Sequence, residues 1–178
     1  DQIKLAGATP VVVHTTPESG FVPTYEQLQS AISPKTKAIM LNSPSNPSGA
    51  LLPRQTLKEI GALAIKHDFW IISDEIYERL IYGEKFESIA SLGKEVYERT
   101  ITIGGCSKSY AMTGWRVGYL AAPLEIAKAC EKIQGQFTSA TNSIAQRAAI
   151  AALTGDMAPT EFMRLAFLER RNKVLEWV

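Results

Sequence analysis

The chain has 178 residues, 46% of them hydrophobic and 21% charged, which suits a globular domain with room for part of another. A net charge of +1 gives no basis for nucleic acid or an anionic membrane as partner, and no apolar run approaches the roughly 20 residues of a spanning helix. The two cysteines, Cys106 and Cys130, have neither metal-ligand spacing nor the look of a disulfide framework, so a reducing, cytoplasmic setting is expected.

Taken in order, the elements alternate. Pro10–His14 reads as a short strand, and Thr24 as the N-cap of a helix running through Leu28 and Ile32, with Glu26 and Gln27 in its first turn. Lys37–Leu41 is an almost continuously apolar strand, ended by the Pro- and Asn-rich run from Asn42 to Gly49. Pro53 opens a helix whose Leu57, Ile60, Leu63 and Ala64 share one stripe. Phe69–Ile72 is the next strand, leading into Ser73-Asp74-Glu75-Ile76-Tyr77. Thr100–Ile103 is β-branched throughout and reads as a third, and Arg116–Ala122 as a fourth. From Leu124 to about Ala152 the pattern is helical, with a break between Gln136 and Asn142. A last amphipathic run carries Phe162, Leu165, Leu168 and Leu175 to the final residue. Both ends read as cut, so the chain is expected to be a piece of a larger protein.

Strand–helix alternation with strands buried on both faces predicts an α/β fold, a mainly parallel sheet covered by helices. In such sheets ligands bind beyond the carboxyl ends of the strands. Asn46 follows one strand, Asp74 and Tyr77 the next, and Lys108 the third. Three loops carrying polar chemistry therefore converge on one rim.

Those groups suit one cofactor chemistry. A lysine beside a fixed arginine, as in Lys108 and Arg116, fits an amine that reacts with an aldehyde while the guanidinium grips a nearby anion. A carboxylate such as Asp74 needs a positive partner when buried, and a protonated ring nitrogen satisfies it. Tyr77 and Asn46 can both donate to a ring oxygen, and Arg116 matches a phosphate bidentately. Each residue also has a plainer use. Asp74 reads equally as a helix N-cap, Tyr77 as a core ring, Arg116 as an ion-pair partner and Lys108 as a solvated loop residue. Cys106 reads as a small buried hydrophobe, and His67 as a favourable charge at a helix C-terminus.

Asn46-Pro47-Ser48-Gly49, Ser73-Asp74-Glu75-Ile76-Tyr77, Ser107-Lys108 and Gly114-Trp115-Arg116-Val117-Gly118-Tyr119 resemble, in the same order, four motifs of the fold type I, class I aminotransferases, nearest the prokaryotic aspartate aminotransferase-like branch. The resemblance runs from about Leu5 to Arg171. It implies pyridoxal 5'-phosphate held as a Schiff base on Lys108, which also shuttles the proton. It further implies Asp74 on the pyridinium nitrogen, Tyr77 and Asn46 on the ring oxygen, and Arg116 on the phosphate, with Ser107 as another donor. Asn46 would also help seat the substrate carboxylate, and the bond before Pro47 would be cis. Gly105 stands where many members carry a phosphate-binding hydroxyl. The family's phosphate-binding helix N-terminus and stacking aromatic would lie upstream of Asp1, and its carboxylate-binding arginine downstream of Val178.

On this resemblance residues 1–155 are the central part of the large cofactor-binding domain, incomplete here, and 156–178 begin the helix leading to a small domain. The expected reaction is amino transfer from an amino acid, aspartate-like by preference, to a 2-oxo acid. The parent is expected to be a homodimer, and this piece alone inactive. A carbon–sulfur lyase, another fold type I enzyme, or a non-catalytic cofactor-binding sensor of a regulator are the alternatives.

Overall fold

In the computed structural model, which describes residues 1–178, the chain begins with a short helix α1 (Gln2–Leu5). Helix α2 (Tyr25–Ala31) starts where the capping pattern requires it. Gln27 N donates to the Thr24 hydroxyl, and Thr24 N donates to the Gln27 side chain at 2.8 Å, so two orphan N–H groups are satisfied reciprocally. The next two elements are β1 (Ala38–Asn42) and α3 (Arg54–His67). Leu57, Ile60, Leu63 and Ala64 of α3 are all buried, against Leu28, Phe69, Ile71, Ile89 and Val96. This is the main core. Ile60 is 0% exposed at its centre, so Ile60→Ala should lower the unfolding free energy of the whole protein by about 2–5 kcal/mol. Denaturant titration measures it, and a loss below about 1 kcal/mol would place the core elsewhere.

Strand β2 (Trp70–Asp74) follows α3, and β3 (Thr100–Gly105) follows α4 (Lys94–Tyr97). β4 (Gly118–Ala121) completes a four-stranded sheet in the order β1-β2-β3-β4. The first three strands are parallel, with Asn42 level with Asp74 and Asp74 level with Ile103. β4 runs antiparallel to β3. The link between them contains turns and a 3-10 turn (Thr113–Trp115) but no covering helix, so the chain returns beside β3 instead of crossing over. Beyond the sheet lie α5 (Leu124–Phe137), α6 (Ser143–Thr154) and α7 (Ala158–Trp177). A second, smaller apolar cluster joins Ala149 of α6 to Cys106 and Met112 behind the β3–β4 link. No helix is long and apolar enough to cross a membrane.

The mainly parallel α/β sheet is as expected, but one predicted strand is not. Pro10–His14 forms no ladder, and Val11 and Val12 are 67% and 66% exposed. A β-branched run becomes a strand only beside a partner, and no strand of this sheet pairs with it. Pairing also divides the sheet into two faces. α3 covers the face of Ile71 and Ser73, while Met40, Trp70, Ile103 and Leu120 stand exposed on the other.

Candidate active site

The carboxyl ends of β1, β2 and β3 form one rim, and side chains tie their loops together. Asn42 closes β1; its Oδ1 accepts from Asn46 N at 2.9 Å, which fixes the Asn46 loop over the strand end. The Ser43–Pro44 and Asn46–Pro47 bonds in that loop are cis. From it, Asn46 Nδ2 donates to the Tyr77 hydroxyl at 3.2 Å. Lys108 Nζ in turn lies over the Tyr77 ring, 5.7 Å from its centroid. Tyr77 thus stands between an amide donor and an amine, on loops from three different strands.

Asp74 is half-buried at the end of β2, and its Oδ1 accepts from Ile76 N at 3.2 Å. This is a local turn rather than the helix N-cap that the sequence also allowed, because no helix follows Asp74. Asp74, Lys108 and Arg116 take part in none of the ion pairs of the chain. A carboxylate, an amine and a guanidinium are therefore free to meet a ligand.

Arg116 follows the 3-10 turn with a left-handed backbone, φ 55°, which ordinary residues rarely adopt. Its guanidinium donates to Thr113 O at 2.9 Å, and the Thr113 hydroxyl donates to Ser107 O at 3.1 Å. Thr113 thereby bridges the lysine loop and the arginine, a link the sequence reading missed. Arg116 shares no hydrogen bond with Asn46, Asp74, Tyr77 or Lys108; its side chain bonds to Thr113 O. With Trp115, Gln134, Thr138 and Asn142 it lines an open cleft of about 770 Å³ that those four residues do not border.

The glycine at 105 has a physical reason. A Cβ there would sit 3.0 Å from Ile76 Cδ1 and 3.1 Å from Val117 O, where β4 folds back on β3. A hydroxyl side chain at that position would crowd backbone. Next to it Cys106 is fully buried, and burial pushes its thiol up, so it stays a neutral apolar filler.

Helix α7 reaches both loops. The Thr160 hydroxyl donates to Ser109 O at 2.8 Å, directly after Lys108. Arg164, paired with Glu161, donates to Ile81 O at 3.1 Å, four residues after Tyr77. Neither residue carried a sequence signal, since their partners are backbone carbonyls far away along the chain.

Residues 1–176 match the family model described as aminotransferase class I and II. The chain belongs to that family. It is 48% identical over 177 residues to aspartate aminotransferase of Geobacillus stearothermophilus, covering 99% of this chain and 45% of that protein. Asparagine–oxo-acid transaminase of Streptococcus mutans is 47% identical over 175 residues, covering 98% and 44%. A solved structure of Thermus thermophilus aspartate aminotransferase with maleate superposes with a TM-score of 0.93 at 43% identity, covering 98% of this chain and 46% of that one. The chain therefore spans less than half the length of the class I and II aminotransferases it matches. Enzymes of this family in general depend on pyridoxal phosphate. The residues present fit that group by their chemistry: an amine, a carboxylate and a guanidinium without ion-pair partners, plus two donors already meeting at Tyr77.

Proposed function

We propose that the whole protein transfers an amino group from an amino acid, aspartate-like by preference, to a 2-oxo acid, with pyridoxal 5'-phosphate held at this rim. The observation that carries the reading is the Asn46–Tyr77–Lys108 cluster at the ends of three parallel strands, with the unpaired carboxylate of Asp74 at the end of the middle one. Lys108 Nζ would hold the cofactor's carbonyl carbon, Asp74 its ring nitrogen, Tyr77 and Asn46 its ring oxygen, and Arg116 with Ser107 its phosphate. When bound, the cofactor supplies an electron-poor ring that accepts the pair released at the substrate carbon.

The chain's own residues do the rest. Once the substrate's own amine takes its place at that carbon, the freed Lys108 amine is the one mobile base in the cluster, and Nζ takes and returns the proton. Asp74 would set its carboxyl group opposite the ring nitrogen, and its turn to Ile76 N fixes one oxygen while leaving the other free. Tyr77 orients its hydroxyl through Asn46, and Asn46 helps seat the substrate carboxylate. Thr113 holds Arg116 at a set distance from Ser107, so phosphate and amine are gripped by one connected loop. Residues 1–155 are the central part of the large domain, residues 156–178 lead to a small one, and two copies of the whole protein assemble.

Borohydride trapping tests the reading. The whole protein, incubated with pyridoxal phosphate and reduced, should carry a dominant adduct on Lys108 by mass spectrometry. It should also turn over aspartate with 2-oxoglutarate. Adducts scattered over surface lysines, with no turnover, would overturn it.

A further inference from the structure

Glu75 is a buried carboxyl that the proposed chemistry leaves unused. It is 6% exposed, directly follows Asp74, and by strand alternation shares the α3 side of β2 with Ser73, while Asp74 lies on the other side. One of its oxygens, Oε1, accepts both from the Ser73 hydroxyl at 3.0 Å and from the Ser88 hydroxyl at 2.8 Å. Ser88 in turn caps the 3-10 turn Ile89–Leu92, accepting from Ala90 N, and Ile89 lies in the main core. Glu75 N donates to Ile103 O at 2.9 Å, and Asp74 O accepts from Ser43 N at 3.2 Å. The Asp74–Glu75 peptide is thus pinned to β3 and to the residue that follows β1, and the Glu75 side chain ties it through one oxygen to the segment under α3.

We propose that Glu75 is the positioning residue for Asp74, its Oε1 anchoring the end of β2 to Ser88 so that the Asp74 carboxylate is held where a ring nitrogen meets it. This rests on the aminotransferase reading and deepens it. Burial pushes the Glu75 carboxyl up while the Ser88 and Ser73 hydroxyls pull it back, but Oε1 accepts both bonds in either protonation state. The acceptor atom, not the charge, does the anchoring.

That distinction makes the role testable on the whole protein. Glu75→Gln keeps an acceptor at Oε1, whereas Glu75→Leu keeps the bulk, removes it, and orphans two buried hydroxyls. Cofactor affinity is read by titrating the cofactor-free protein with pyridoxal phosphate, and the ring environment by the pH midpoint of the bound cofactor's absorbance. Gln should stay within about twofold of wild type in affinity with an unmoved midpoint, while Leu should bind roughly tenfold more weakly with a displaced midpoint. A folded Leu protein with wild-type affinity and midpoint overturns the proposal, as does a Gln protein as impaired as Leu. If the Leu protein does not fold, Ser88→Ala decides: a midpoint displaced in a folded protein supports the anchor, and an unmoved one overturns it. Wild-type protein that takes up no cofactor would instead bring down the aminotransferase reading itself.

Discussion

Transamination by the Lys108→Ala protein should fall by roughly 10²–10⁴-fold, the scale of a lost positioned proton carrier. No other amine is placed over Tyr77, and a guanidinium is no substitute for an amine as proton carrier. Lys108→Arg should therefore be nearly as inactive, although it keeps the charge and much of the contact with the Tyr77 ring. The reducible adduct should vanish in both. Lys108 is half-buried and its side chain makes no hydrogen bond or ion pair, so unfolding midpoints should hardly move. Steady-state assays beside thermal melts separate the outcomes: a stable alanine protein that keeps a tenth of the activity would remove Lys108 from the mechanism.

For Asp74 the informative change is to asparagine. The amide oxygen of Asp74→Asn can still accept from Ile76 N, so the turn at the end of β2 survives and the charge alone is lost. Loss of one charge aimed at a developing charge costs on the order of 10²–10³-fold in kcat. Asp74→Ala should lose a similar amount and also melt earlier, because Ile76 N then loses its partner. An asparagine protein within tenfold of wild type would mean that Asp74 serves the turn and not a ring nitrogen.

How far the sequence speaks for the structure depends on whether a signal is local. Thr24 with Gln27, and the Leu57–Ile60–Leu63–Ala64 stripe, are complete within one turn or one helix face, and both appear where the residues say. The rim was legible for a related reason. Asn46, Asp74 and Lys108 each come within five residues of the end of an apolar run, so strand ends alone place their loops on one rim. Four things were not legible. Pro10–His14 has the right residues for a strand, but a ladder needs a neighbour that composition does not announce. The direction of β4 depends on what fills the link before it. The roles of Asn42, Thr113 and Glu75 depend on hydrogen bonds to particular partners, and for a single Asn, Thr or Glu beside a motif residue no periodicity marks the partner. The cleft beside Arg116 belongs here too, since it forms where the α5–α6 connection meets the 3-10 turn.

Helix α7 gives those loops a common fate. Its first turns hold Ser109 O through Thr160 and Ile81 O through Arg164, while Arg171 reaches the Tyr82 ring at 5.9 Å from its centroid. At about 1.5 Å per residue, Thr160 and Arg171 stand roughly 16 Å apart on one rigid rod. A tilt of that rod works as a lever on both attachments at once. The loop that follows Lys108 and the loop that follows Tyr77 thus share one support, and the rim inherits its spacing from a single helix.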